Sequence, residues 1–293
     1  MEISASELAL PDGRTLELTV AGPADGDLLI FHHGTPGSGD VFLPTAETAG
    51  AHGFRLAAYA RPGYGGSSRY PGRTVADCAA DTGALADHLD ADRFFTMGAS
   101  GGGPHALACA AVLPGRVRAC ATIAGVGPYG MPDLDFLEGM AVENHDEFGA
   151  ALLGEDALRT YLEEEDAAFS KVTGSELASA LGDLVSDVDK AVLTGEYADF
   201  LATSFHRATR NGIWGWFDDD MAFTRGWGFE LSDLAVPVTV WQGAQDMMVP
   251  LAHGKWLASH VAGAKAEFRP EHGHISLELA HLGAILDGLR AAG

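Results

Sequence analysis

At 293 residues, 47% of them hydrophobic and 20% charged, the chain has the composition of a globular protein with a sizeable buried core, which excludes a disordered or low-complexity chain. Its 18 Lys and Arg stand against 41 Asp and Glu, a formal net charge of −23 that repels nucleic acid and anionic membrane surfaces and leaves a small-molecule substrate as the expected partner. No stretch approaches the roughly 20 apolar residues of a membrane span, and Met1–Leu10 lacks the basic and apolar regions of a secretory signal. The expectation is a cytoplasmic protein, monomeric or homodimeric.

Taken in chain order, Asp27–His32 (DLLIFH) is a short apolar run ending in Gly34, Pro36 and Gly37, as a buried strand entering a loop does. Val41–His52 can form a helix, and Phe54–Ala60 is a second strand, closed by Arg61-Pro62-Gly63. Thr74–Leu89 has apolar residues at helical spacing, with Thr74 as the expected N-cap. Arg93–Met97 reads as a third strand that runs into Gly98-Ala99-Ser100-Gly101-Gly102 and the helical Ala106–Leu113; Val117–Ile123 is a fourth. This alternation predicts an α/β fold, a mainly parallel central sheet with helices on both faces. The cysteines Cys78, Cys109 and Cys120 lack CxxC spacing and are expected in the core, without metal or redox duty.

From Met131 to Phe200 the pattern changes to 18 Asp/Glu against three Lys/Arg, with no strong strand. Alternation resumes with strand Val236–Trp241, helix Pro250–Val261, strand Lys265–Phe268 and helix Ile275–Leu289. A core domain of residues 1–129 and 226–293 is therefore expected, interrupted by a helical cap (lid) over residues 130–225 that covers the strand C-termini, where ligands bind in such sheets. The acidity of the cap fits a solvated helix surface; a negative rim that favours cationic or neutral substrates is the alternative.

A serine hydroxyl needs a base within hydrogen-bonding reach to act as a nucleophile, and a sharp strand–turn–helix can hold it clear of the sheet. Small residues are then required two positions either side, a demand met by Gly98-Ala99-Ser100-Gly101-Gly102. Gly65-Gly66-Ser67-Ser68 lacks the following helix and reads as a loop. The ordered set His33-Gly34-Thr35-Pro36-Gly37, Arg61-Pro62-Gly63-Tyr64-Gly65-Gly66-Ser67, Gly98–Gly102, Asp246 and Gly273-His274 resembles the α/β-hydrolase superfamily. It is similar to the capped esterase, proline iminopeptidase and haloalkane dehalogenase branches, over about residues 27–128 and 235–290.

That resemblance implies the triad order Ser, Asp, His. Asp246 follows a strand in Gly243-Ala244-Gln245-Asp246, and His274 follows the last strand in Gly273-His274-Ile275-Ser276-Leu277, which matches the family's Gly-His-x-x-Leu better than its rival His272 does. Asp218-Asp219-Asp220 rivals Asp246 by composition only. For the oxyanion, one N–H donor is expected from Gly101, directly after the nucleophile, and the resemblance places the other at Thr35. Serine at position 100 departs from the dehalogenase and epoxide hydrolase branches, which use aspartate there.

No metal cluster or dinucleotide fingerprint is visible, so no cofactor is expected. Asn211–Phe217, with Trp214, Trp216 and Phe217, is rich in large apolar groups that suit either a substrate pocket or a cap–core interface. The expected function is hydrolysis of a small, largely apolar carboxylic ester or lactone by a serine esterase through an acyl-enzyme. A proline iminopeptidase-type enzyme would need a cap carboxylate such as Glu138, Glu143 or Glu196. A non-catalytic ligand-binding member of the fold is the alternative from another class.

Overall fold

The alternating apolar runs fold into one sheet in the computed structural model, which describes residues 2–293. Its eight strands are β1 (Ile3–Ala9), β2 (Thr15–Ala21), β3 (Asp27–His32), β4 (Phe54–Tyr59), β5 (Phe94–Ala99), β6 (Val117–Ile123), β7 (Val238–Gly243) and β8 (Lys265–Arg269). They lie in the order β1-β2-β4-β3-β5-β6-β7-β8, parallel from β4 onward, with β2 antiparallel to both its neighbours. The chain leaves β3 for β4 on one side and returns to β5 on the other. This reversal of strand order opens a crevice at the C-terminal ends of β3 and β5, where His32 pairs with Gly98.

Strand alternation sorts the core into two faces. Leu28 and Ile30 of β3 join Ala57 and Tyr59 of β4 beneath α2 (Cys78–His88), α3 (Gly102–Val112) and α10 (Leu251–His260). Leu29, Leu56 and Ala58 point the other way, onto α1 (Leu43–Ala51) and α11 (His274–Ala292). The three cysteines are free and buried. Among the described residues no helix is long and apolar enough to cross a membrane.

Two features depart from the sequence reading. The β1–β2 hairpin precedes the first strand expected, and β1 is almost wholly exposed, so it carries no apolar face to betray it. Thr74 is not the N-cap of α2. Its N–H and O–H both donate to the Asp77 carboxylate (2.6 and 2.8 Å), closing a separate turn before the helix starts at Cys78.

Between β6 and β7 the chain forms α4 (Val142–Leu153), α5 (Glu155–Phe169), α6 (Gly174–Ala180), α7 (Asp187–Lys190), α8 (Gly195–Ala208) and α9 (Trp214–Phe223). Leu158, Leu162, Trp216 and Phe217 of this insertion pack with Ala60 and Tyr64 after β4. At the centre of that seam Asp219 of α9 is fully buried. It accepts from Arg61 Nη2 (2.6 Å), Tyr64 OH (2.9 Å) and Thr35 Oγ1 (2.7 Å), and pairs with Arg73 at 2.7 Å. Burial alone would raise this carboxyl, but Arg61 and Arg73 outweigh it and hold Asp219 well below the usual aspartate range.

Removing one partner of a buried ion pair strands the other charge, at about 3–5 kcal/mol. Asp219→Asn should therefore lower stability in urea denaturation by about that amount. A loss below about 1 kcal/mol, the value of an exposed pair, would show that Asp219 does not hold the seam.

Candidate active site

The turn from β5 into α3 puts Ser100 at φ 54°, the left-handed region that non-glycine residues seldom occupy. The turn closes because its flanks lack side chains. A Cβ on Gly98 would collide with the carbonyl oxygen of Gly102, and one on Gly102 with that of His32. Ser100 N–H donates to Ile123 O at 2.9 Å, which fixes the turn against β6 and leaves the side chain facing the crevice near the positive end of α3.

Opposite lies the loop after β3. A Cβ on Gly34 would sit 3.4 Å from that of Ser100, and the Thr35 side chain fills the space beside Gly101. This loop is held from behind. His33 Nδ1 donates to Gly34 O (2.7 Å) while Nε2 accepts from Arg61 N–H (3.1 Å), so both ring nitrogens are used by a neutral imidazole. Burial, reinforced by the Arg61 charge, keeps that histidine well below its ordinary range. The Arg61 guanidinium donates to the carbonyls of His33 and Gly34 and to Thr35 Oγ1, and Thr35 in turn donates to Asp219.

After β7, the Asp246 carboxylate is buried and fully occupied: it accepts from Gln242 Nε2 (2.8 Å), Met248 N (3.0 Å) and Val249 N (2.8 Å). His274 Nδ1 lies 2.9 Å from its Oδ2, which leaves Nε2 as the free ring nitrogen. Burial by itself would lower His274, but the Asp246 charge and hydrogen bond outweigh it and raise the imidazole above 6.5. His274 opens α11, and the first amides of that helix (His274, Ile275 and Ser276) donate to Asp189 of α7 at 2.9–3.0 Å. Asp189 thus neutralises the helix terminus and fixes the position of His274.

Two cavities meet at Ser100. The first, about 160 Å³, also has Thr35, Gly101, Trp216 and an acidic wall of Glu143, Glu147, Glu165 and Asp220. The second, about 170 Å³, has His274, Thr35, Glu278 and the apolar Phe42, Tyr197 and Phe200. Burial raises Glu278 to about 7, against the opposing effect of His274 one turn away.

Ser100 and Thr35 line both cavities, Gly101 lines the first, and His274, bonded to Asp246, lines the second. His272 instead turns its ring against His281, centroids 4.8 Å apart. Of the three aromatic residues expected at the substrate, Trp216 lines the first cavity, and Trp214 and Phe217 line neither of the two that meet at Ser100. Trp214 lies under the Arg69 guanidinium (4.0 Å) and Phe217 is buried in the insertion–core seam. Glu143 lines the first cavity, whereas Glu138 and Glu196 are exposed. Sequence reasoning named Asp219 and Asp220 only as rivals to Asp246 by composition, and it missed Asp189, Gln242 and Glu147, whose partners lie far along the chain or carry no motif.

A model of the α/β hydrolase fold matches residues 27–280. A non-heme chloroperoxidase of Streptomyces lividans is 35% identical over 143 residues, 48% of this chain and 52% of that protein, so the chain spans about half of that relative. One from Burkholderia pyrrocinia is 27% identical over 235 residues, 79% of this chain and 78% of that protein. Among solved structures, an enol-lactonase from Burkholderia xenovorans superposes with a TM-score of 0.70 at 18% identity, covering 98% of each chain. With the family's model spanning the sheet from β3 to α11 and every loop that meets at Ser100, the chain belongs to the α/β-hydrolase fold family of enzymes.

Proposed function

We propose that the protein is a serine hydrolase that cleaves a small, largely apolar carboxylic ester or lactone. The observation that carries this reading is the His274–Asp246 hydrogen bond on the wall of a crevice shared with Ser100, itself raised on a left-handed turn. His274 Nε2 takes the proton of Ser100 Oγ as that oxygen bonds to the acyl carbon. The charge that develops on the carbonyl oxygen is met by the N–H groups of Gly101 and Thr35, which need no reorganisation because Arg61 and Asp219 already hold the loop. His274 then gives the proton to the departing alcohol oxygen, and the ester bond breaks. Water, deprotonated by the same nitrogen, attacks the acyl-enzyme and releases the acid and Ser100. With a lactone the alcohol remains tethered to the acyl group.

The insertion of residues 130–225 serves as the cap. Its helices supply most of the acidic wall on one side of Ser100 and Tyr197 and Phe200 on the other. The similar volumes of the two cavities, about 160 and 170 Å³, give each half of a small ester a place. The apolar second cavity suits an alkyl or aryl group.

The purified protein should turn over p-nitrophenyl acetate and butyrate. Ser100→Ala should lose at least about 10³-fold in kcat, and a fluorophosphonate should label Ser100 in the wild type. No turnover and no label, from a protein shown to be folded, would move the reading to a binding protein.

His274 acts as a base only when neutral, so kcat/KM should rise with pH through an apparent pKa above 6.5, its value being lifted by Asp246. Asp246→Asn should lower kcat by about 10³–10⁴-fold and shift the rising limb to lower pH. A limb that stays in place would separate the titrating group from this pair.

A further inference from the structure

The acidic wall of the first cavity takes no part in the hydrolytic steps, yet it is built at a cost. Asp220 of α9 is fully buried, and neither of its carboxylate oxygens meets an N–H or O–H donor among the described residues. Glu143 Oε2 is likewise buried without a partner. The carboxyl of Glu147 on α4 touches Asp220 and has one donor, Trp216 Nε1, at 2.8 Å. Arg73, the cation whose charge reaches Asp220, is engaged by Asp219. Burying a carboxylate without hydrogen bonds or a counter-charge is unfavourable by several kcal/mol; a proton shared with Glu147 is the relief the chain itself offers, and a cationic donor entering the cavity would take its place.

We propose that the Glu147–Asp220 pair is a subsite for a protonated amine carried at one end of the substrate, both carboxyls accepting its hydrogen bonds while the acyl carbon lies at Ser100. Placing the acyl carbon rests on the serine-hydrolase reading; the amine subsite does not. The charge of Glu165 on α5 acts on Glu147 and that of Asp219 on Asp220, with Arg73 opposing; Glu143 of α4, Asp166 of α5 and His206 of α8 line the same cavity. Two touching carboxyls hold one proton between them. Burial pushes Glu147 up to about 7 and Asp220 well above the aspartate range, so the pair holds at least one proton near neutrality and takes up a second as pH falls through about 7. An entering ammonium replaces that proton, which leaves to solvent. Preference for the amine should therefore grow as pH rises through about 7 and fade below it.

The test uses two cationic esters and their carbon isosteres: dimethylaminoethyl butyrate against isoamyl butyrate, and ethyl γ-(dimethylamino)butyrate against the isostere with CH in place of the nitrogen. For at least one pair, kcat/KM for the cationic ester should exceed that of its isostere about tenfold or more, the worth of one charge-assisted hydrogen bond. In Glu147→Gln, which keeps an acceptor for Trp216 Nε1, the two rates should converge; Asp220→Asn provides a second variant. Calorimetry on Ser100→Ala, in two buffers of different ionisation enthalpy, should show tighter binding of the cationic ester with release of a proton. Equal handling of amine and isostere in both positions, with equal binding to Ser100→Ala, overturns the subsite. Preferential amine binding to Ser100→Ala from a protein that hydrolyses no ester would instead keep the subsite and sink the hydrolytic reading.

Discussion

The buried carboxylate of Asp219 is the constraint on which the working geometry rests. It belongs to the helical insertion, yet its ligands Thr35, Arg61, Tyr64 and Arg73 all belong to the sheet's loops. One anion facing two guanidiniums would leave a net positive charge in the core. The carbonyls of His33 and Gly34, which accept from Arg61, and that of Gly215, which accepts from Arg73, spread that charge over backbone dipoles. None of these groups can find water in place, so the insertion cannot drift from the sheet without stranding charges. The apolar seam around it, from Leu158 to Phe217, adds area but little direction. The ion cluster is what sets the register of α9 against the loop after β3.

A second aspartate of the insertion performs the matching task at the opposite wall. Asp189 collects three amides at the start of α11, and Gly273, where any Cβ would run into its carboxylate, allows that approach. Burial would raise Asp189, but the amide bonds win and keep it ionised. The loop after β3 that carries Thr35 and the helix that begins at His274 are thus each gripped by one insertion residue, 30 positions apart in the chain. The insertion therefore does more than line the cavities. Displacement of α7 would be felt at His274, and displacement of α9 at Thr35, so access to the site and its geometry are mechanically linked.

How much of this was legible in the sequence depended on whether the determining contact was local. β6 was read to the residue, and the turn at Ser100 was recognised because Gly98 and Gly102 answer a steric demand met within five consecutive positions. The Asp246–His274 pair was legible only through the chain order common to the fold, since 28 residues separate them. β1 carried no apolar alternation, being exposed at the sheet edge. Thr74 looked like a cap because nothing local distinguishes a capping threonine from one bound to Asp77. The aromatic run at 214–217 was ambiguous for a similar reason: a tryptophan beneath an arginine and a tryptophan on a cavity wall have the same neighbours in the chain.

Asp218, Asp219 and Asp220 make the same point within a single helical turn. Successive residues of a helix point about 100° apart, so three identical side chains face three environments. Asp218 forms a two-pronged pair with Arg69 at the rim (2.8 and 2.9 Å), Asp219 enters the arginine cluster, and Asp220 meets Glu147 at the cavity. Asp219 is driven toward the charged form and Asp220 toward the protonated one, although their backbones adjoin. The two effects reinforce each other: the negative charge fixed on Asp219 helps raise Asp220 beside it. Because Asp219 anchors α9, it also fixes the direction in which Asp220 points. The interaction that joins insertion to sheet therefore sets the chemistry of the cavity wall as well, and neither could be changed without the other.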